Sequence, residues 1–292
     1  MPHHYELVSA ALRAEKAVYC EWPLANGVKQ AEALANLARD VGVVARVGLQ
    51  ARSSPAINYV RALVADGYVG KVLSSSIIAS GLNWGADVRR CYLYLHDKKN
   101  GASMLTIPFG HTTDAFCWCL GEFSELSATF ATRRRVVRVS DDGTMCQSDI
   151  ADQVSVTGTL ESGAVASIHF HGGLSRGVGF LWEIHGTEGD LLIEGPNGHV
   201  QMMPLVVKGG RGDEARVRDL PIPSSYRWTP HGTPEGVPFN LAPAYIRLAE
   251  DLTSRRETAP TFGNAVVRHR MIEAIAKAAK TGTRQSYDAR WR

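Results

Sequence analysis

No stretch of this sequence stays apolar for long enough to cross a bilayer; none approaches the roughly 18 residues that a helical span needs. The amino terminus, Met1-Pro2-His3-His4-Tyr5-Glu6, has no basic region leading into an apolar one, so no secretory leader is read there. Cysteine is scarce. Five of them, an odd number scattered over 292 residues, do not make a disulfide framework. Cys117 and Cys119 stand two apart in a helical pattern, point to different faces, and make a poor metal pair. An excess of charge is lacking too: a net +3 is too small to argue for nucleic acid or a membrane surface. The basic cluster Arg133-Arg134-Arg135 has no interleaved aromatics for bases to stack on, and reads as a solvated loop or strand end. His169 and His171 share one face of a strand pattern but lack a third ligand, so no metal site is assigned. What remains is a reduced, cytoplasmic chain with no nucleic-acid and no membrane partner.

What is present is an ordinary globular composition, 45% hydrophobic and 21% charged, long enough for one large or two ordinary domains. Its organising stretch is Glu15–Pro23, E-K-A-V-Y-C-E-W-P. Proline has no N–H for a ladder and disfavours helix in the residue before it, so the strand Ala17–Trp22 stops there. Glu21, Trp22 and Pro23 thereby lie at a strand's carboxyl end, where open parallel sheets bind ligands. Helix Glu6–Lys16 precedes; helix Gly27–Val41, capped by Asn26 and ended by Gly42, follows. Strand Val43–Leu49 and helix Pro55–Asp66 complete residues 1–71 as half of a doubly wound domain.

From Val72 the pattern changes. Val72–Ser80 reads as strand, Cys91–Leu95 as a short apolar run, and a helix starts near Pro108 within Asn100–Gly121. Strands are then expected over Phe123–Phe130, Val136–Val139, Gln153–Leu160, Ala164–His171, Phe180–His185, Leu191–Glu194 and Val200–Leu205. Val207–Pro238, rich in glycine and proline, reads as a long loop; helices Leu241–Thr253 and Ala265–Lys280 close the fold. The fold class is thus α/β plus α+β: an incomplete Rossmann unit over 1–71, an open, mostly antiparallel sheet flanked by helices over 72–282, and a tail over 283–292.

Two segments resemble the Gfo/Idh/MocA oxidoreductases, nicotinamide-dependent enzymes acting mainly on sugars and polyols. E-K-A-V-Y-C-E-W-P-L-A is similar to their G-K-H-V-L-C-E-K-P-L-A turn, and Gly101–Asp114, G-A-S-M-L-T-I-P-F-G-H-T-T-D, to their G-G-G-A-L-L-D-I-G-x-H-x-x-D helix. Two departures stand out: Trp22 occupies the position of the family's lysine, and Ile107 that of its aspartate, four residues before His111. The pairing of E-W-P with T-I-P-F-G-H resembles the subgroup typified by the fungal galactose-pathway repressor.

The resemblance implies His111 as the catalytic group, Glu21, Trp22, Pro23, Gln50 and Arg52 around NAD or NADP, and Asn83 and Trp84 on the substrate side. It implies a homodimer and a sugar or polyol substrate. No G-x-G-x-x-G turn precedes Glu15, and Met1–His4 falls on the family's T-P-N-x-x-H loop. On the order of 70–90 residues of the family's first half are therefore expected to be missing, through a misassigned start or a truncated gene. Dinucleotide binding is expected to be impaired accordingly. Three functions stay open: an oxidoreductase with altered acid–base residues, a dinucleotide-binding regulator with a protein partner, and an inactive remnant.

Overall fold

Two short parallel strands carry the proline turn. β1 (Val18–Glu21) and β2 (Ala45–Gly48) pair from Val18 opposite Ala45 to Glu21 opposite Gly48. The structure is a computed structural model describing residues 3–229, 232–233, 236–254 and 256–291. α1 (His4–Arg13) leads into β1, α2 (Val28–Val41) crosses over to β2, and α3 (Pro55–Ala65) follows. α2 buries Ala31, Leu34, Ala35 and Ala38 on one stripe, as their spacing predicts. It ends at Gly42, whose φ of 69° is left-handed backbone that glycine adopts without steric cost. Asn26 does not cap it. Gly27 holds that position, and the Asn26 amide instead donates to the Lys99 carbonyl at 3.0 Å.

The larger unit is an eight-stranded sheet. It uses β3 (Val72–Gly81), β5 (Phe123–Ala131), β8 (Gln153–Leu160), β9 (Val165–Gly172), β10 (Phe180–Gly186), β11 (Gly189–Gly195), β12 (Val206–Arg211) and β13 (Arg218–Asp219). The order is β13-β12-β11-β10-β3-β9-β8-β5, with β3 and β9 parallel and every other pair antiparallel. β4 (Asp87–Val88), β6 (Val136–Val139) and β7 (Met145–Gln147) form a small separate sheet. Cys91–Leu95 is 3-10 helix, within Arg90–His96.

One strand lies elsewhere than expected. Residues 201–203 turn, with the N–H groups of Met202 and Met203 donating to the His199 carbonyl, so Val200–Leu205 is not a strand. Val206–Arg211 is, inside the segment read as loop. Its glycines reflect crowding: a Cβ on Gly209 would sit 2.7 Å from Leu220 Cδ1 and 2.8 Å from Tyr68 Oη. Residues 230, 231, 234 and 235 of the expected loop, Met1 and Pro2 of the matched loop, and residue 292 lie outside the described residues.

Three helices complete the fold: α4 (Pro108–Leu120), α5 (Val237–Ser254) and α6 (Phe262–Thr281). Every residue of α4 but Trp118 is buried, which marks a central helix rather than an amphipathic surface one. Its Phe109 meets Phe170 edge-on at 5.4 Å and its Phe116 lies 5.8 Å from Trp182, so it packs on the inner face of the sheet. α6 begins earlier than its apolar pattern suggests, because Thr261 and Asn264 cap it reciprocally. The segment entering α6 covers the free edge of β2: Val47 N–H donates to the Pro260 carbonyl at 2.8 Å. The closing residues run beside β5, where Leu126 and Gln285 exchange backbone bonds and Tyr287 Oη donates to Glu122. Among the described residues no helix is long and apolar enough to cross a membrane.

Candidate functional site

At the end of β1 the chain exposes Glu21 and buries Trp22. The Trp22 indole donates from Nε1 to the Thr106 carbonyl at 2.7 Å, and its ring lies 4.7 Å from that of His269. It presses on the first turn of α4, where a Cβ on Gly110 would come within 2.7 Å of Nε1. Glycine at 110 is what lets the indole lie there. Behind it, His4 holds the turn by donating from Nδ1 to the Pro23 carbonyl at 3.0 Å.

The end of β2 places Gln50 and Arg52 differently. Gln50 folds over Gly48, where an added Cβ would be 3.0 Å from Gln50 Nε2 and 3.3 Å from Glu21 Cα. Gln50 therefore joins Glu21 at the strand ends, with its Oε1 buried and unpartnered. Arg52, expected beside it, points into the protein. Its Nε and Nη2 donate to the two oxygens of Asp114 at 2.8 and 2.6 Å, and its guanidinium lies 4.7 Å over Trp118. A buried guanidinium needs a carboxylate, and α4 supplies one. Arg268 of α6 approaches the same carboxylate at 3.5 Å and also bonds to Glu122. Burial would lower the pKa of Arg268, but its neighbours Cys117, Glu122 and Tyr287 hold it above its ordinary range. Asp114, the last residue of the second matched motif, thus belongs to an internal ion network.

His111 lies one turn into α4, buried, with Nδ1 unpartnered. Burial, and secondarily the charge of His199, push its pKa down to about 3. Ile107 offers it no carboxylate. Sequence reasoning missed His199, which follows β11 in Pro196-Asn197-Gly198-His199. The Asn197 side chain accepts the His199 N–H at 3.0 Å, a local turn built by asparagine. Gly198 is clamped: its carbonyl accepts from Thr112 Oγ1 of α4 at 3.0 Å, and its N–H donates to the Ser80 carbonyl at 2.8 Å. A Cβ there would meet Phe170 Cε1 at 2.5 Å. His199 is buried, which pushes its pKa down to about 4, and its Nε2 is unpartnered.

Trp84 stacks on His199 at 6.2 Å and 18° and donates to the Leu95 carbonyl at 3.4 Å. The half-buried Asn83 presents its backbone carbonyl to His96 at 3.0 Å. The structure therefore draws Trp84, His111, His199 and Gln201 into one buried region, and at the strand ends sets buried Trp22 and His269 near half-buried Gln50 and exposed Glu21. The first turn of α4 joins the two. Arg52 is in neither. The signal for His199 was weak: a histidine just beyond the expected strand Leu191–Glu194, in a turn-forming tetrapeptide.

Two family models match. The oxidoreductase family with NAD-binding Rossmann fold covers residues 2–49, and the Gal80p C-terminal domain covers 55–195. The dehydrogenase aclE of Aspergillus oryzae is 29% identical over 98% of this chain and 76% of its own length. The galactose/lactose metabolism regulatory protein GAL80 of Kluyveromyces lactis is 31% identical over 73% of this chain. The match spans about half of that regulator, 51% of its length. The crystal structure of a super-repressor mutant of Gal80p from Saccharomyces cerevisiae superposes with a TM-score of 0.86 at 25% identity, over 98% of this chain and 78% of that one. The chain belongs to the Gfo/Idh/MocA oxidoreductase family, in the subgroup that carries the Gal80p-type C-terminal domain.

Proposed function

We propose that this chain is an NAD(H)-dependent oxidoreductase acting at a carbinol or carbonyl carbon of a small polyhydroxylated ligand, a sugar or polyol. The observation that carries the reading is a set of buried polar atoms that have no hydrogen-bond partner among the described residues: Gln50 Oε1, His111 Nδ1, His199 Nε2 and Gln201 Oε1. Buried polar atoms are nearly always hydrogen-bonded, and leaving one unmade costs about 1–3 kcal/mol. Three of them gather around α4's first turn and the 197–201 turn, and the fourth lies at the strand ends. A ligand bearing several hydroxyls can satisfy such a set; an apolar one cannot.

Glu21, Trp22, Pro23 and Gln50 stand where a doubly wound sheet receives its dinucleotide, and the free Gln50 Oε1 suits a carboxamide N–H. NAD would supply the hydride chemistry. His111 is the group to take or return the hydroxyl proton, and burial keeps it neutral near pH 7 until a ligand enters. Arg52 is left out of this assignment because Asp114 holds it.

A second reading, a dinucleotide-binding regulator without turnover, is favoured by one feature. Trp22 carries no charge and its only donor is taken by the Thr106 carbonyl, so nothing replaces the family's lysine at the turn. Calorimetry with NAD and NADP, followed by a turnover screen on sugars and polyols, separates the two. Turnover that falls by about 10²–10⁴-fold in His111→Ala while dinucleotide affinity is kept supports the enzyme. Dinucleotide binding with no turnover, even in the doubly restored Trp22→Lys/Ile107→Asp variant, replaces it with the regulator.

A further inference from the structure

We propose that His199 is the hydrogen-bond donor that grips the reacting oxygen of the ligand, through Nε2–H, at the place in the chemistry left open by Trp22. For the reaction this rests on the oxidoreductase reading; for the hydrogen bond it rests on the geometry alone.

The tautomer follows from the neighbour. Gln201 Nε2 lies 3.5 Å from His199 Nδ1, and an amide nitrogen can only donate, so with the Gln201 amide in this orientation Nδ1 accepts. In a neutral imidazole the proton is then on Nε2, and that atom is buried with nothing to donate to. His96, by contrast, bonds at both ring nitrogens, to Ser148 and the Asn83 carbonyl. His199 is also held on every side. Asn197 accepts its backbone N–H, Trp84 stacks on its ring, and Gly198 is tied to β3 through Ser80 and to α4 through Thr112. A donor fixed before the ligand arrives costs nothing to reorganise when charge develops on the oxygen.

The second unpartnered nitrogen, His111 Nδ1, is in the same buried region. A hydroxyl both accepts and donates, so one ligand oxygen can accept from His199 Nε2–H and offer its own proton to His111 Nδ1. The family's lysine and carboxylate are thereby replaced by two neutral imidazoles. Desolvation favours neutral groups in a site this buried.

Two measurements on the full chain test the inference. Histidine-selective ¹⁵N NMR at neutral pH should find His199 neutral with its proton on Nε2, and adding glycerol, myo-inositol or D-glucose should move the His199 and His111 ring signals first. A proton on Nδ1, an imidazolium, or no response to any of the three overturns the assignment. In turnover, on whichever sugar or polyol the wild type accepts best, His199→Leu should lower kcat/KM about 10²-fold with dinucleotide affinity unchanged. His199→Gln, which keeps an N–H, should recover part of that loss. Equal turnover in a folded His199→Leu sinks the role of His199 and leaves the oxidoreductase reading standing. No turnover in the wild type or in Trp22→Lys/Ile107→Asp sinks that reading, and the NMR titration then decides His199 alone.

Discussion

Removing the carboxylate of Asp114, in the internal ion network beside the candidate site, should destabilise this protein strongly. Asp114 is fully buried and accepts two hydrogen bonds from Arg52, with Arg268 3.5 Å away. In Asp114→Ala the Arg52 guanidinium stays in the interior with only Trp118 beneath it; Arg268 still has Glu122. Stranding one partner of a buried pair costs about 3–5 kcal/mol. Against a total stability of about 5–15 kcal/mol this puts the variant near its threshold. At about 2–4 °C per kcal/mol for a chain of this class, the melting temperature should fall by roughly 10 °C. Urea and thermal melts of wild type, Asp114→Ala, Arg52→Met and Asp114→Leu/Arg52→Met measure it. The double variant removes both charges and should regain much of the loss, because replacing a whole buried pair by apolar groups is often close to neutral. An Asp114→Ala variant within about 1 kcal/mol of wild type would falsify the reasoning: Arg52 would then be free to serve a ligand.

Acid should weaken the fold early. Burial holds His111 near 3 and both His199 and His269 near 4, against 6.5 when unfolded. The unfolded chain binds these protons first, so the stability they confer is complete above pH 6.5 and is lost as pH falls toward 4. At pH 5 the loss is roughly 2 kcal/mol for each histidine; urea melts at pH 7.5 and 5 should show it, and His269→Phe should remove its share. Gly110→Ala drives a methyl to within 2.7 Å of Trp22 Nε1 and should cost about 1–3 kcal/mol, less in a Trp22→Phe background; additive losses would mean that the two do not touch. The outer face of the sheet exposes Ile78 on β3 and Val165 on β9, and we propose that a second copy covers it there and over β8. Light scattering should give a dimer for wild type and a monomer for Ile78→Lys; a monomeric wild type ends the proposal.

The fold was largely legible in the sequence where hydrophobic pattern and breakers agree. Gly42, Gly282 and Pro108 mark helix boundaries that side-chain periodicity also requires, and β-branched runs mark β3, β8, β9 and β10. It failed where long-range packing sets the residue type. Gly209 and Gly210 read as loop, yet they are glycines because the strand passes close to Tyr68, Leu220 and the Arg216 carbonyl. Arg52 read as a pocket residue because its partner stands 62 positions away. Asn26 read as a cap because its contact with Lys99, 73 positions away, has no local trace. In the candidate site, the strand-end turn and His111 were indicated by the family resemblance, since both sit on its motifs. His199 could not, because its role depends on Trp84 and α4 meeting its turn in space.

The two departures from the family motifs make one physical change. The Trp22 indole ends on the carbonyl of residue 106, immediately before Ile107, so positions 22 and 107 meet the same turn of chain. A lysine at 22 would bring an ammonium to that turn, and a carboxylate at 107 would be the natural partner for it. With tryptophan at 22 the cation is gone, and an aspartate at 107 would be a charge with no partner in a largely dry site. Isoleucine removes that cost. Trp22→Lys or Ile107→Asp alone would place one charge at this turn, whereas the two together would place opposite charges there. The imidazoles buried around the first turn of α4 are His111, His199 and His269, and burial favours the neutral form of each.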